Sequence, residues 1–121
     1  MTRTESARIG FGVFFIAAGA MHFIVPDYYR TIVPAWLPAP DTLVAVSGGA
    51  EIVGGIGLLL PGTRRAAGLW LIAVLVAIFP ANVEMLQLYR SRGVSAPAEL
   101  LLWLRLPLQA VLIWWAWRLS R

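Results

Sequence analysis

Four long apolar runs, each closed by proline, glycine or arginine, set the pattern of this chain. The first spans Ile9 to Val25 and stops at Pro26. The second spans Leu43 to Leu60 and stops at Pro61-Gly62. The third spans Ala66 to about Leu88, with Pro80 inside it, and the fourth spans Leu100 to Trp117. Each is close to the ~20 residues that carry a helix across the hydrocarbon core. Alternating apolar and polar positions of the kind that build a barrel are missing, and a closed barrel needs more strands than the chain supplies. The pattern predicts an all-α integral membrane four-helix bundle in a single domain. Between helices 1 and 2 it places a Pro- and aromatic-rich outer loop, Pro26 to Asp41.

Composition agrees. The 121 residues are 60% hydrophobic and 13% charged, with a mean hydropathy of +0.76. A soluble domain carries roughly twice that share of charge, about 25%. Cysteine is absent, which excludes disulfides, thiol redox chemistry and thiolate metal sites. The net charge is +4 and every cation is arginine. The arginines cap apolar runs instead of forming a stripe, so they indicate membrane flanks and not nucleic acid.

Their distribution gives a direction. Arg3, Arg8, Arg64, Arg65, Arg118 and Arg121 fall on one side, and Arg30, Arg90 and Arg92 on the other. The excess predicts both termini in the cytoplasm of a bacterial inner membrane. Trp114, Trp115 and Trp117 then mark the cytoplasmic belt, and Tyr28, Tyr29 and Tyr89 the outer one. Arg3, Arg8 and Ala18-Gly19-Ala20 also mimic a cleavable signal peptide. Helix packing accounts for those small residues, so the segment is read as a retained span.

The chemistry lies in a few polar residues inside the runs. Counted from the outer end of each span, His22 and Glu84 lie about one turn in, Arg105 one to two turns, and Glu51 two or more. At 1.5 Å per residue these levels differ by only ~10 Å. Gly12, Phe15, Gly19 and His22 share one face of helix 1; Ser47, Glu51 and Gly55 share one of helix 2. Arg105 and Gln109 are four apart, as are Pro80 and Glu84. A lone charge at mid-membrane costs roughly 2.5–3.5 kcal/mol on the insertion scale. Arg105 keeps its proton and is therefore expected to pair with Glu51, Glu84 or both. Two acids on one fixed cation leave room for one to stay protonated, with His22 placed to hold or pass that proton. The candidate polar cluster is His22, Ser47, Glu51, Glu84, Arg105 and Gln109. Tyr28, Tyr29 and Trp36, near the apolar Ile32, Val33 and Leu37, form the candidate lid. The alternative is a cluster that only fixes helix order and register, under a loop resting at the headgroups. One histidine and a nearby arginine argue against a metal. A Ser47-His22-Glu51 set has no recognisable oxyanion hole.

Several stretches resemble the DoxX-like family of small bacterial membrane proteins: AGAMHFIVPDYY (18–29), IVPAWLPAP (32–40), SGGAEIVGGIGLLLPGTRRAAG (47–68), FPANVEM (79–85) and RLPLQAVLIWWAW (105–117). The resemblance implies a four-span bundle and an association with thiosulfate:quinone oxidoreduction, as a membrane partner of redox enzymes.

Three functions compete. The first is a subunit without autonomous catalysis that binds a quinone or other polar-headed lipophile. The second is an accessory partner of a larger membrane protein. The third is a proton-coupled transporter, although small multidrug exporters carry their acid in the first span. Small-residue faces also allow a homo-oligomer.

Overall fold

The computed structural model describes residues 2–31, 33 and 35–121. Five helices follow one another: α1 (Arg3–Ile24), α2 (Pro26–Arg30), α3 (Pro40–Leu59), α4 (Arg64–Ser91) and α5 (Ala96–Leu119). The described residues contain no strand. The four long helices are each long and apolar enough to cross a membrane. The fold is thus the all-α bundle expected, with one short helix added.

Helix ends extend beyond the apolar runs because polar residues and prolines cap them. The Thr2 hydroxyl accepts from Glu5 N at 3.0 Å, and Glu5 Oε2 accepts from Thr2 N at 3.2 Å. This reciprocal cap starts α1 six residues before Ile9. Ser95 caps α5 by accepting from Ala98 N. Proline opens α2 and α3 at the first helical position, where its missing N–H is not needed. That is why the outer segment holds a short helix: Pro26 ends α1 and begins α2. Arg30 then ties α2 to the start of α3, with ion pairs to Asp27 at 2.9 Å and Asp41 at 2.5 Å. Ala39, before Pro40, takes the left-handed region at φ 50°, at a cost of about 1–2 kcal/mol for an L residue.

α1 and α3 touch backbone to backbone. A Cβ on Gly19 would meet the Gly48 carbonyl oxygen at 2.5 Å, and one on Gly55 the Gly12 oxygen at 2.6 Å. Two glycines on each helix, seven residues apart, bring the axes together along their length. α4 and α5 form a second pair, with Gly68 of α4 directly against Ser120 just past α5. The pairs join at the end that carries both termini. There Gly57 packs on Ala67, Gly54 on Leu71, and Phe11 edge-on to Trp115 at 6.3 Å. The main buried cluster is Phe11, Phe15, Leu58, Ala67, Leu71, Leu75, Ala116 and Leu119, weighted towards that end of the bundle, while Val44, Met85 and Leu86 are buried towards the other. Towards the other end, which carries α2 and is called the loop end below, the core gives way to a cavity.

Gly48 and Gly49 separate packing from propensity. Gly48→Val is expected to destabilise the protein by about 1–3 kcal/mol through overpacking, since its Cβ would lie 2.6 Å from that of His22. Gly49→Ala meets nothing within 4 Å and is expected to leave stability unchanged or raise it by up to about 1 kcal/mol through helix propensity. Reversible denaturation in mixed micelles compares the two.

Candidate functional site

The cavity has a volume of about 600 Å³ and lies between the α1/α3 and α4/α5 pairs. Most of its wall is apolar, from Phe15, Val44, Val74, Ile78, Leu108 and Leu112 among others. Its polar groups sit in two sets on opposite walls.

His22 and Glu51 make the first set, on α1 and α3; they are 7% and 4% exposed. His22 Nδ1 lies 2.9 Å from the Ala18 carbonyl oxygen, one turn back, and 3.4 Å from Glu51 Oε2. Both neighbours are acceptors, so Nδ1 carries the hydrogen. In the neutral ring this leaves Nε2 as an acceptor. The ring stacks on Tyr29 of α2, centroids 3.9 Å apart and planes 17° apart. Glu51 Oε2 is buried without a hydrogen bond. A lone carboxylate is costly to bury; His22 is the nearest titratable group and forms an ion pair with it only when its ring is protonated. The Ser47 hydroxyl lines the cavity but donates to Leu43 O at 2.7 Å.

The second set is a hydrogen-bonded chain across α4 and α5. Asn82 Nδ2 donates to Gln109 Oε1 at 2.6 Å, and Gln109 Nε2 donates to Leu75 O at 2.6 Å. Arg105 Nη2 donates to Asn82 Oδ1 at 3.3 Å, and its Nη1 contacts the Met85 sulfur at 2.8 Å. Asn82 and Gln109 are buried. Arg105 is exposed overall, its stem leading the guanidinium along the cavity edge.

Two expectations need correction. Arg105 pairs with neither Glu51 nor Glu84: among the described residues the ion pairs are His22–Glu51, Arg30 with Asp27 and Asp41, and Arg90–Glu99. The helix pairs stand apart at this level, so Glu51 and Arg105 line the same space from opposite sides. Arg105 meets its need for acceptors through an amide and a thioether. Glu84 does not line the cavity and is only half-buried. The inward face of α4 carries Asn82, Met85 and Leu86, and two residues of helix turn Glu84 roughly 200° from Asn82.

The lid is also different. Tyr29, Val33 and Leu37 line the cavity. Trp36 is 73% exposed, and Tyr28 directs its hydroxyl to the Met85 sulfur at 3.8 Å. Ile32 lies outside the described residues. Burial, with a smaller contribution from Glu51, raises the Tyr29 pKa, and Arg105 partly opposes this. The phenol thus stays a neutral donor at the cavity roof. Among the described residues no three His, Asp or Glu side chains gather as metal ligands.

These features define a membrane-type helical bundle with a half-open cavity between its helix pairs, acidic and imidazole groups on one wall and a guanidinium-amide chain on the other. The chain belongs to the family described as a domain of unknown function, DUF8561, whose model matches residues 11–120. No curated protein and no solved structure matches it.

Double-mutant cycles test the two-wall arrangement. Asn82→Leu combined with Gln109→Leu is expected to show a coupling of about 1 kcal/mol in stability. Arg105→Gln combined with Glu84→Gln is expected to show none within error.

Proposed function

We propose that the protein is a multi-pass protein of the bacterial inner membrane, both termini cytoplasmic, that holds a polar-headed lipophile in this cavity. It would act as a non-catalytic membrane subunit of a redox system, in the manner implied by the DoxX-like resemblance. A quinone is the ligand class whose chemistry fits. The carrying observation is an apolar cavity of about 600 Å³ with donors on one wall and acceptors on the other. That volume falls within the range of about 300–1,000 Å³ typical of small-molecule sites.

The parts divide the work as follows. The Arg105 guanidinium and the Tyr29 hydroxyl donate to a head-group carbonyl. Glu51 accepts from a head-group hydroxyl, and the His22 Nε2 accepts as well when the imidazole is neutral. The His22–Glu51 pair holds one proton between them, as imidazolium with carboxylate or imidazole with carboxylic acid, and so presents no net charge to the apolar wall. Leu108, Leu112, Val74 and Ile78 receive the tail. A second reading, an accessory partner of a larger membrane protein or a homo-oligomer, is favoured by α5, of which only Gln109, Ala116 and Leu119 are buried.

Native mass spectrometry from lipid tests the first reading. A quinone-mass adduct is expected on the wild type, with occupancy reduced about tenfold or more by Glu51→Leu and by Arg105→Leu, each removing a charge-assisted hydrogen bond. A wild type that carries no adduct and takes up no added short-chain quinone would contradict it. Co-isolation of a stoichiometric protein partner in mild detergent supports the accessory reading.

A further inference from the structure

The termini end holds a second, smaller pocket of about 210 Å³, lined by Glu5, Arg8 and Ile9 of α1, Leu59 of α3 and Arg64 of α4. Arg8 is only 9% exposed, and arginine is almost never so buried without a partner. Its Nε donates to Leu119 O at 2.8 Å. Its two terminal nitrogens bond to nothing among the described residues, and no carboxylate pairs with it. Arg64 contributes a buried atom without a partner, its Nε. Glu5 lines the same pocket but turns Oε2 to its own helix cap at Thr2, and forms no ion pair among the described residues.

The α4 N-terminus adds to this. Thr63 precedes the helix, yet its hydroxyl donates back to Gly57 O at 2.8 Å, so α4 has no side-chain cap. The first-turn N–H groups thus add their partial positive charge to Arg64 and Arg65. The same end of the helices carries Arg3, Arg65, Arg118 and Arg121 besides the two arginines that line the pocket, and Glu5 is the one acidic side chain there.

We propose that this pocket binds a phosphate monoanion, supplied as the phosphodiester of an anionic phospholipid. Two guanidiniums that meet in one pocket match the forked geometry of phosphate oxygens. Their place, at the end of four membrane-length helices, is where a lipid head group lies, and basic pockets between such helices recognise anionic heads. Ile9, 43% exposed, and Leu59 offer apolar contact to the upper acyl chains. A bound phosphate would join α1, α3 and α4 at the end where the two helix pairs meet. The site is separate from the cavity and does not depend on its ligand.

The test is native mass spectrometry of the full chain in mild detergent, titrated separately with phosphatidylglycerol, phosphatidylcholine and inorganic phosphate. Wild type is expected to retain phosphatidylglycerol at least tenfold better than phosphatidylcholine. Arg64→Gln is expected to lower that retention about tenfold, the effect of losing one charged hydrogen-bond donor. Arg92→Gln, at the opposite end, is expected to leave it unchanged. Arg8→Gln is expected to act as Arg64→Gln does; because it also loses the Leu119 contact, the Arg64 variant carries the decision. Equal retention of the two lipids, or equal loss in the Arg64 and Arg92 variants, overturns the proposal. Saturation by inorganic phosphate with no preference for the lipid overturns the lipid as its source.

Discussion

Backbone contact between α1 and α3 is the constraint from which the rest follows. Gly12 against Gly55 and Gly19 against Gly48 leave no room for side chains between these helices. The two therefore move as one ridge, and α4 with α5 forms the other. Side chains large enough to fill the gap between ridges, Phe11, Phe15, Leu58, Leu71 and Leu75, are concentrated towards the termini end. At the loop end the facing positions are Ala18, Ser47, Ala50, Ala77 and Ala81, so the gap stays open. The cavity is thus a consequence of where bulk lies along the helices.

This arrangement also decides the electrostatics. A collapsed bundle would bring Arg105 onto Glu51 and satisfy both at once. Separated ridges give each charge local partners: His22 for Glu51, and Asn82 with the Met85 sulfur for Arg105. Among the described residues Arg105 has no counter-ion but is exposed, whereas the buried Glu51 has His22 beside it. The interior is consequently polarised, with donors on one side and acceptors on the other. A head group able to accept at one end and donate at the other bridges that polarity without disturbing either set. Under the proposed function, a ligand hydroxyl would donate to Glu51 Oε2, which has no hydrogen-bond partner among the described residues.

Hydropathy made the four spans legible, and small-residue spacing made the α1–α3 contact legible. The helix ends were less so, because Thr2, Pro26, Pro40 and Ser95 act through capping geometry instead of apolar periodicity. Facing of His22, Glu51 and Gln109 could be read from their spacing with glycines and with each other. Partnership could not. The inference that Arg105 needs a carboxylate treats the interior as closed and counts only ionisable groups. Asn82 was missed for the same reason, although an amide in an apolar run two residues after Pro80 was a visible signal. Glu84 was placed by its depth alone; its direction depends on which face of α4 turns inward, and Asn82, Met85 and Leu86 decide that. In the lid, Trp36 and Tyr28 looked suitable because they are aromatic, yet Tyr29 holds the position, since α2 brings its ring onto His22.

Solid-state NMR dipolar recoupling in lipid vesicles tests the two-wall account most directly, with labelled nitrogen in histidine and arginine and labelled carbon in the glutamate carboxyls. The account predicts strong coupling of the Glu51 carboxyl to His22 Nδ1 and none to the Arg105 guanidinium. A strong Arg105–Glu51 coupling would mean that the helix pairs close on each other, and would contradict both the open cavity and the function drawn from it.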